Sequence, residues 1–192
     1  MKRLLSAMMF LSFLPGCGGG FSVAEHSLIR KGGDDIMRVL VTTNKSDSLL
    51  LRQKSEPLDE NMVHKGDFKR LCRRMLATVQ NPENEGVGIA APQVGVLRRL
   101  VAVQRFDKEG EPFEFFVNPE IVEYGQNRES GGEGCLSVPD RRGQVVRSQS
   151  IKLRYRDVDF RLHEEYVEGF TAVIFQHEID HLDGKLFIDF IQ

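Results

Sequence analysis

The sequence predicts one α+β domain in which antiparallel strands cluster between two helices. Three observations carry that class. Phe68, Leu71, Cys72, Met75, Leu76 and Val79 have the i, i+3, i+4, i+7 spacing of an amphipathic helix. Ile151, Leu153 and Tyr155 alternate with polar neighbours at the period of a half-buried strand. A second helical run, Phe170, Val173, Ile174, His177 and His181, lies near the C-terminus.

In chain order, a helix is expected from about Asp59 to Gln80, within which Cys72 is a small buried hydrophobe. Strand-like runs follow near Leu97 to Gln104, Phe113 to Val117, Glu120 to Tyr124, Ser150 to Tyr155 and Phe160 to Tyr166. The histidine helix comes last, and Gly184 supplies its stop. With 192 residues and 41% hydrophobic content, the chain suffices for one globular domain with a real core. A formal charge of −2, with acidic and basic residues interspersed, gives no sign of direct nucleic-acid binding.

The first residues read differently. Met1-Lys2-Arg3 is a basic start, Leu4 to Leu14 is apolar over a signal-peptide length, and Leu14-Pro15-Gly16-Cys17 resembles a bacterial lipoprotein cleavage box. The stretch is too short to span a membrane as a helix. Processing would make Cys17 the lipidated N-terminus, remove Lys2 and Arg3, and so take the charge from −2 to −4. On that reading, residues 1–36 are leader and tether, and residues 37–192 are a single catalytic domain. The chain would then be a membrane-anchored lipoprotein; translation starting at Met37 would instead leave it cytoplasmic.

The chemistry is concentrated in Gln176-His177-Glu178-Ile179-Asp180-His181. Residues four apart on a helix are separated by about 400° of rotation and about 6 Å of rise, so His177 and His181 share one face. Both continue the apolar face, where unpartnered imidazoles would be costly; a metal or a dense hydrogen-bond network is expected there. Glu178 lies about 100° further round, the position of the general base in H-E-x-x-H hydrolases.

A catalytic metal usually takes three protein ligands and keeps one position open. The longer pattern H-E-x-x-H-x-x-G-x-x-H has Gly184 in register but Phe187 where its third histidine belongs, which counts against a zincin-type metallopeptidase. Only eleven residues follow His181 and none is Glu, so the third ligand must lie upstream. Cys135, within Gly131-Gly132-Glu133-Gly134-Cys135-Leu136-Ser137, has backbone freedom around it and a thiolate suited to zinc or iron(II). A lone buried or reactive thiol is the alternative there. A non-catalytic exported lipoprotein holding a structural metal is a further reading, opposed by the intact Glu178.

Gly86-Val87-Gly88-Ile89-Ala90-Ala91-Pro92-Gln93 matches a dinucleotide-binding fingerprint only formally. It follows a polar stretch and precedes a strand, the reverse of what that motif needs. Its glycines would let a strand edge approach a ligand, and Gln93 could donate an amide N–H to a developing oxyanion.

Taken in order, Gly86 to Gln93, Glu133-Gly134-Cys135-Leu136-Ser137 and Gln176 to His181 resemble the three motifs of the peptide deformylases. The resemblance spans Met37 to Gln192, including Phe116-Val117-Asn118-Pro119, and leaves the first 36 residues unexplained. It implies antiparallel β-sheets around a central metal-binding helix. It also implies removal of the formyl group from N-formylmethionyl peptides or nascent chains, releasing formate. Cys135, His177 and His181 would hold one divalent metal, iron(II) foremost, with zinc, nickel or cobalt as replacements. Glu178 would be the general acid/base, with Gln93 and the backbone N–H of Leu136 facing the formyl oxygen. Val87, Gly88, Phe170 and Val173 would line the methionine pocket, and Arg142 would contact the peptide backbone. Glu133 and Arg147 would form an ion pair bracing the cysteine loop. Many relatives carry a further helix after the metal-binding helix, a segment some use near the ribosome; this chain ends at Phe190-Ile191-Gln192.

Overall fold

The computed structural model describes residues 20–33, 35–84 and 86–191. The leader expected at residues 1–19 lies outside them. Among the described residues, no helix is long and apolar enough to cross a membrane.

The expected tether is instead structured from Phe21 onward. Helix α1 (Val23–Arg30) opens with a reciprocal cap: the Ser22 hydroxyl accepts from the Glu25 N–H, and the Glu25 carboxylate accepts from the Ser22 N–H. Phe21 and Ile29 enter the core. Arg98 pairs with Glu25 at 2.8 Å and Arg30 with Asp67 at 2.7 Å. The buried Arg74 donates to the carbonyls of Leu28, Ile29 and Asp35 at 2.8–3.0 Å, capturing the C-terminal end of α1 and the loop after it. An eight-residue helix with two buried positions has too little periodicity to stand out in the sequence.

Helices α2 (Lys45–Leu51) and α3 (Glu60–Val63) are capped by the Asn44 and Asp59 side chains. Then comes α4 (Gly66–Val79), which presents Phe68, Leu71, Cys72, Met75 and Val79 to the core. The single helix expected over this region is therefore two, interrupted where Lys65 takes an extended conformation.

The strands are β1 (Gly88–Ala90), β2 (Leu100–Gln104), β3 (Phe113–Tyr124), β4 (Arg128–Cys135), β5 (Val138–Ser148), β6 (Ser150–Arg156) and β7 (Leu162–Glu168), followed by helix α5 (Gly169–Leu182). An antiparallel five-stranded sheet has the order β1-β2-β3-β6-β7, and β4 and β5 form a separate hairpin. Two runs expected as separate strands fuse into β3. The register slips at Asn118-Pro119, where Asn118 has φ +51° and its side chain bonds both the N–H and the C=O of Leu58 at 2.8 Å. The β4–β5 hairpin, which is absent from the strand-like runs expected from the sequence, is held by backbone pairing from Arg128↔Ser148 to Gly134↔Arg142.

Period-two alternation assigns the faces of the sheet. Leu100 and Ala102 of β2 pack toward α1, α3 and α4, while Val101 and Val103 pack toward α5, with Phe116, Leu153, Phe175 and Ile179. Helix α5 therefore lies between the sheet and the β4–β5 hairpin, an α+β arrangement of antiparallel sheets around a central helix. It ends as expected, with Gly184 in the left-handed region at φ +71°. The chain after it returns Leu186 and Phe187 to a small core with Val138 and Val145.

Candidate active site

Helix α5 holds its histidines rigidly because it is tied on several sides. Gln176 accepts from the Ser148 N–H at 3.0 Å and donates to the Ser148 C=O at 2.8 Å, fastening α5 to β5. Phe175 packs edge-on against Phe116 in the sheet. The i, i+4 spacing then sets the His177 and His181 ring centroids 5.0 Å apart.

The hairpin delivers the third group. Cys135 Sγ lies 3.2 Å from His181 Nε2, and one donor atom from each of Cys135, His177 and His181 falls within 4.8 Å of the others. Ligand atoms sharing a tetrahedral zinc-like ion sit about 3.5 Å apart, so sulfur and two nitrogens at these separations fit a divalent metal. Their chemistry also fits: Cys with two His suits zinc, iron(II), cobalt or nickel.

The surroundings orient the donors. Glu133 accepts from His177 Nδ1 at 2.8 Å, which leaves Nε2 facing the cavity. Arg147 in turn holds Glu133 at 2.8 Å and Asp180 at 2.5 Å, and stacks over Phe190 at 5.1 Å. The expected Glu133–Arg147 pair is thus present, with Asp180 as an added partner. Burial alone would raise the Glu133 carboxyl, but the His177 and Arg147 bonds outweigh it and hold it down to about 2.

Glu178 sits on the other side of His177, with 4% exposure and with Oε2 lacking any hydrogen-bond partner. Burial pushes its pKa up to about 7, with the Glu133 charge adding to the effect and His177 opposing it. His181 is lowered well below the ordinary histidine range by burial, and its Nδ1 is likewise unpartnered. Two buried polar atoms with no protein partner thus meet at one cleft, which marks it as a candidate functional site.

The Gln93 amide is fixed at both ends. Its Oε1 accepts from the Ala90 N–H at 2.8 Å, while Nε2 points to Cys135 Sγ at 3.5 Å and Ser137 Oγ at 3.3 Å. The chain at Gly88 passes so near Glu178 that a Cβ there would lie 2.5 Å from its carboxylate oxygen.

A cavity of about 820 Å³ opens onto this cluster. Val87, Gly88, Gln93, Cys135, Leu136, Arg142, Phe170, Val173, His177 and Glu178 all line it, so the predicted site residues converge except that His181 lies buried behind them. Phe170 is 56% exposed at the rim, against Phe106. Ile174, Asn84 and Arg141 in the lining, and Asp180 on α5, carry no site role in the sequence analysis. For Ile174 a signal existed, one helical step from Val173 on the same apolar run.

Three convergent soft and imidazole donors, a buried carboxylate and an open cleft define the site of a mononuclear metal-dependent hydrolase. A family profile described as polypeptide deformylase matches residues 37–192. A peptide deformylase of Leptospira biflexa is 42% identical over 147 residues, covering 73% of this chain and 81% of that protein. A Met-Ala-Ser-bound class I type b peptide deformylase from Acinetobacter baumannii superposes with TM-score 0.72 at 36% identity, covering 81% of this chain and 98% of the other. The peptide deformylase of Thermotoga maritima gives TM-score 0.71 at 34% identity, covering 82% and 98%.

The chain belongs to the polypeptide deformylase family. It is an enzyme that hydrolyses the formyl group from N-terminal formylmethionine. That activity replaces the endopeptidase and non-catalytic alternatives.

Proposed function

We propose that Cys135, His177 and His181 hold an iron(II) ion, with Glu178 as general acid/base and Gln93 and the Leu136 N–H as oxyanion donors. When bound, the metal would polarise the formyl oxygen and bring the pKa of a nearby water from 15.7 toward about 7. Glu178 would take the proton of the attacking water as it adds to the formyl carbon. Burial raises the proton affinity of Glu178 above that of an exposed carboxylate, which favours acceptance of that proton. As the formyl C–N bond breaks, Glu178 would pass the proton to the departing amine, leaving formate and a free methionine amino group. Gln93 Nε2 would donate to the oxygen on which negative charge develops; losing one such donor typically costs about 2.7–4 kcal/mol.

The observation that carries this reading is the unpartnered Glu178 carboxylate, buried beside the three donors. Val87, Gly88, Phe170 and Val173 would receive the methionine side chain, and Arg142 the peptide backbone beyond it. The Acinetobacter enzyme holds Met-Ala-Ser, and a cavity of about 820 Å³ accommodates a peptide of that size. Formate release from a formylmethionyl peptide, measured under anaerobic iron(II) loading, tests the assignment. Wild type should turn over and Glu178→Ala should lose at least 10³-fold; equal rates would overturn the role of Glu178.

We also propose that residues 1–16 are a lipoprotein leader, cleaved to leave Cys17 as the acylated N-terminal residue. The basic start, apolar length and cysteine box support it. With Phe21 already buried, only Gly18 to Gly20 would separate the anchor from the folded body. A start at Met37 would remove the carbonyls that Arg74 binds and turn the amide N–H that Met37 gives to Thr78 into a buried charged terminus. Palmitate labelling with fractionation tests the leader; an unlabelled protein in the soluble fraction would overturn it.

A further inference from the structure

We infer that Ser137 is a positioning residue that aims the Gln93 amide at the reacting formyl group. The inference rests on the proposed oxyanion role of Gln93 and concerns how that side chain is held.

Gln93 is 2% exposed, and its amide has only one workable orientation. The Ala90 N–H is a donor and nothing else, so the atom 2.8 Å from it must be the carbonyl Oε1. The NH₂ end is thereby turned toward the metal ligands. Its two protons have two acceptors in reach, Ser137 Oγ at 3.3 Å and Cys135 Sγ at 3.5 Å. Ser137 is fully buried, so no water competes for its hydroxyl. Sulfur is a weak acceptor and would be engaged by a metal, so that proton is the one free to serve a substrate oxygen. The bond to Ser137 fixes the rotation about the last side-chain torsion, which is otherwise broad and roughly two-fold.

The backbone holds this geometry. Leu40 N–H donates to the Gln93 carbonyl and Thr42 N–H donates to the Ser137 carbonyl, each at 2.8 Å. One short segment, Leu40 to Thr42, therefore pins both residues. Asp47 at α2 fixes that segment by accepting from the Val41 N–H at 3.1 Å and from Arg38. Two motifs far apart in sequence are locked at a set separation, and Ser137 is the side chain that uses it.

Ser137→Ala removes the acceptor while leaving ligands and base in place. We expect kcat to fall about tenfold with KM and metal content unchanged, and Ser137→Cys, which keeps a weak acceptor, to fall less. In a Gln93→Ala background, Ser137→Ala should add nothing. In the metal-free protein, hydrogen exchange of the Gln93 side-chain NH₂, followed by NMR, should quicken at least tenfold in Ser137→Ala. If Gln93→Ala itself kept full activity, the oxyanion role would fail. If Gln93→Ala were impaired while Ser137→Ala kept wild-type kcat and amide exchange, only the positioning role would fail. Multiplying losses in the double variant would also overturn it, because Ser137 would then act independently of Gln93. Should Ser137→Ala prove unstable, Ser137→Cys and the exchange measurement carry the same test.

Discussion

Gly88→Ala strikes Glu178, the proposed general base, without altering any of the three proposed metal ligands. The added Cβ would sit 2.5 Å from Glu178 Oε1 and 2.9 Å from its Cδ and Cγ. Ordinary van der Waals contact begins at 3.4 Å, so the carboxylate must retreat by about 0.9 Å, or β1 must shift by as much. Retreat is obstructed, because Glu178 is only 4% exposed and Cγ as well as the carboxylate is involved. A misplacement of about 1 Å near the reacting atoms can cost on the order of 10²-fold. Overpacking adds roughly 1–3 kcal/mol of lost stability. We therefore expect kcat for formate release to drop about 100-fold, equivalent to about 2.7 kcal/mol of activation free energy. Metal stoichiometry should stay at one, since none of Cys135, His177 and His181 is among the atoms nearest the new Cβ. Turnover, elemental analysis and thermal unfolding would be measured on the same preparation. A folded, metal-loaded Gly88→Ala enzyme working within threefold of wild type would refute the claim that the close approach of β1 sets the position of Glu178.

Three further outcomes are expected. Cys135→Ser should lower retained metal at least about tenfold, read by elemental analysis after dialysis; unchanged stoichiometry would remove Cys135 from the ligand set. A chain beginning at Met37 should lose about 3–6 kcal/mol from the burial of Phe21 and Ile29 alone, lowering Tm by at least about 6 °C; a Tm within 2 °C of the full chain would show α1 to be dispensable. The N-terminal segment should also loosen in acid. Arg38 holds Asp47, and Arg30 holds Asp67, below the ordinary carboxylate range; for Glu25, burial opposes the lowering, but Arg98 and Ser22 prevail. Carboxylates lowered in the folded state contribute stability above their ordinary pKa, and that contribution is lost as pH falls through the lowered values. Amide exchange in α1 and α2 should therefore quicken selectively below about pH 4, and exchange flat with pH there would refute the docking role of these pairs.

Much of the site was legible because it is local. The spacing of His177 and His181 follows from helical geometry alone, and Glu178 comes with it. Phe187 stands where a third histidine would belong, which leaves a third donor to come from upstream, and the glycines around Cys135 mark where the chain can come close to another group. The fold was less legible wherever stability comes from pairing rather than from apolar periodicity. The β4–β5 hairpin alternates glycine with charge and carries no sheet signature, yet backbone bonds hold it for seven consecutive pairs, Arg128↔Ser148 through Gly134↔Arg142. Helix α1 is equally quiet, because it buries only Glu25 and Ile29 of its eight residues and is otherwise held by Arg98, Asp67 and Arg74, residues some 40 to 70 positions away.

The sequence by itself determined the chemical inventory: two imidazoles and a carboxylate on one helix face, a thiol among glycines, an amide after a small-residue strand, and the α+β class. Those are properties of residue type and short spacing, which local backbone geometry converts directly into position. Tertiary structure alone decided what the inventory is worth. Packing α5 between the sheet and the hairpin buries Glu178, and burial raises its proton affinity toward neutrality. The Ala90 N–H chooses which way Gln93 faces, and Leu40 to Thr42 sets its distance from Ser137. Desolvation and orientation arise from atoms distant in the chain, and no periodicity in the sequence encodes them.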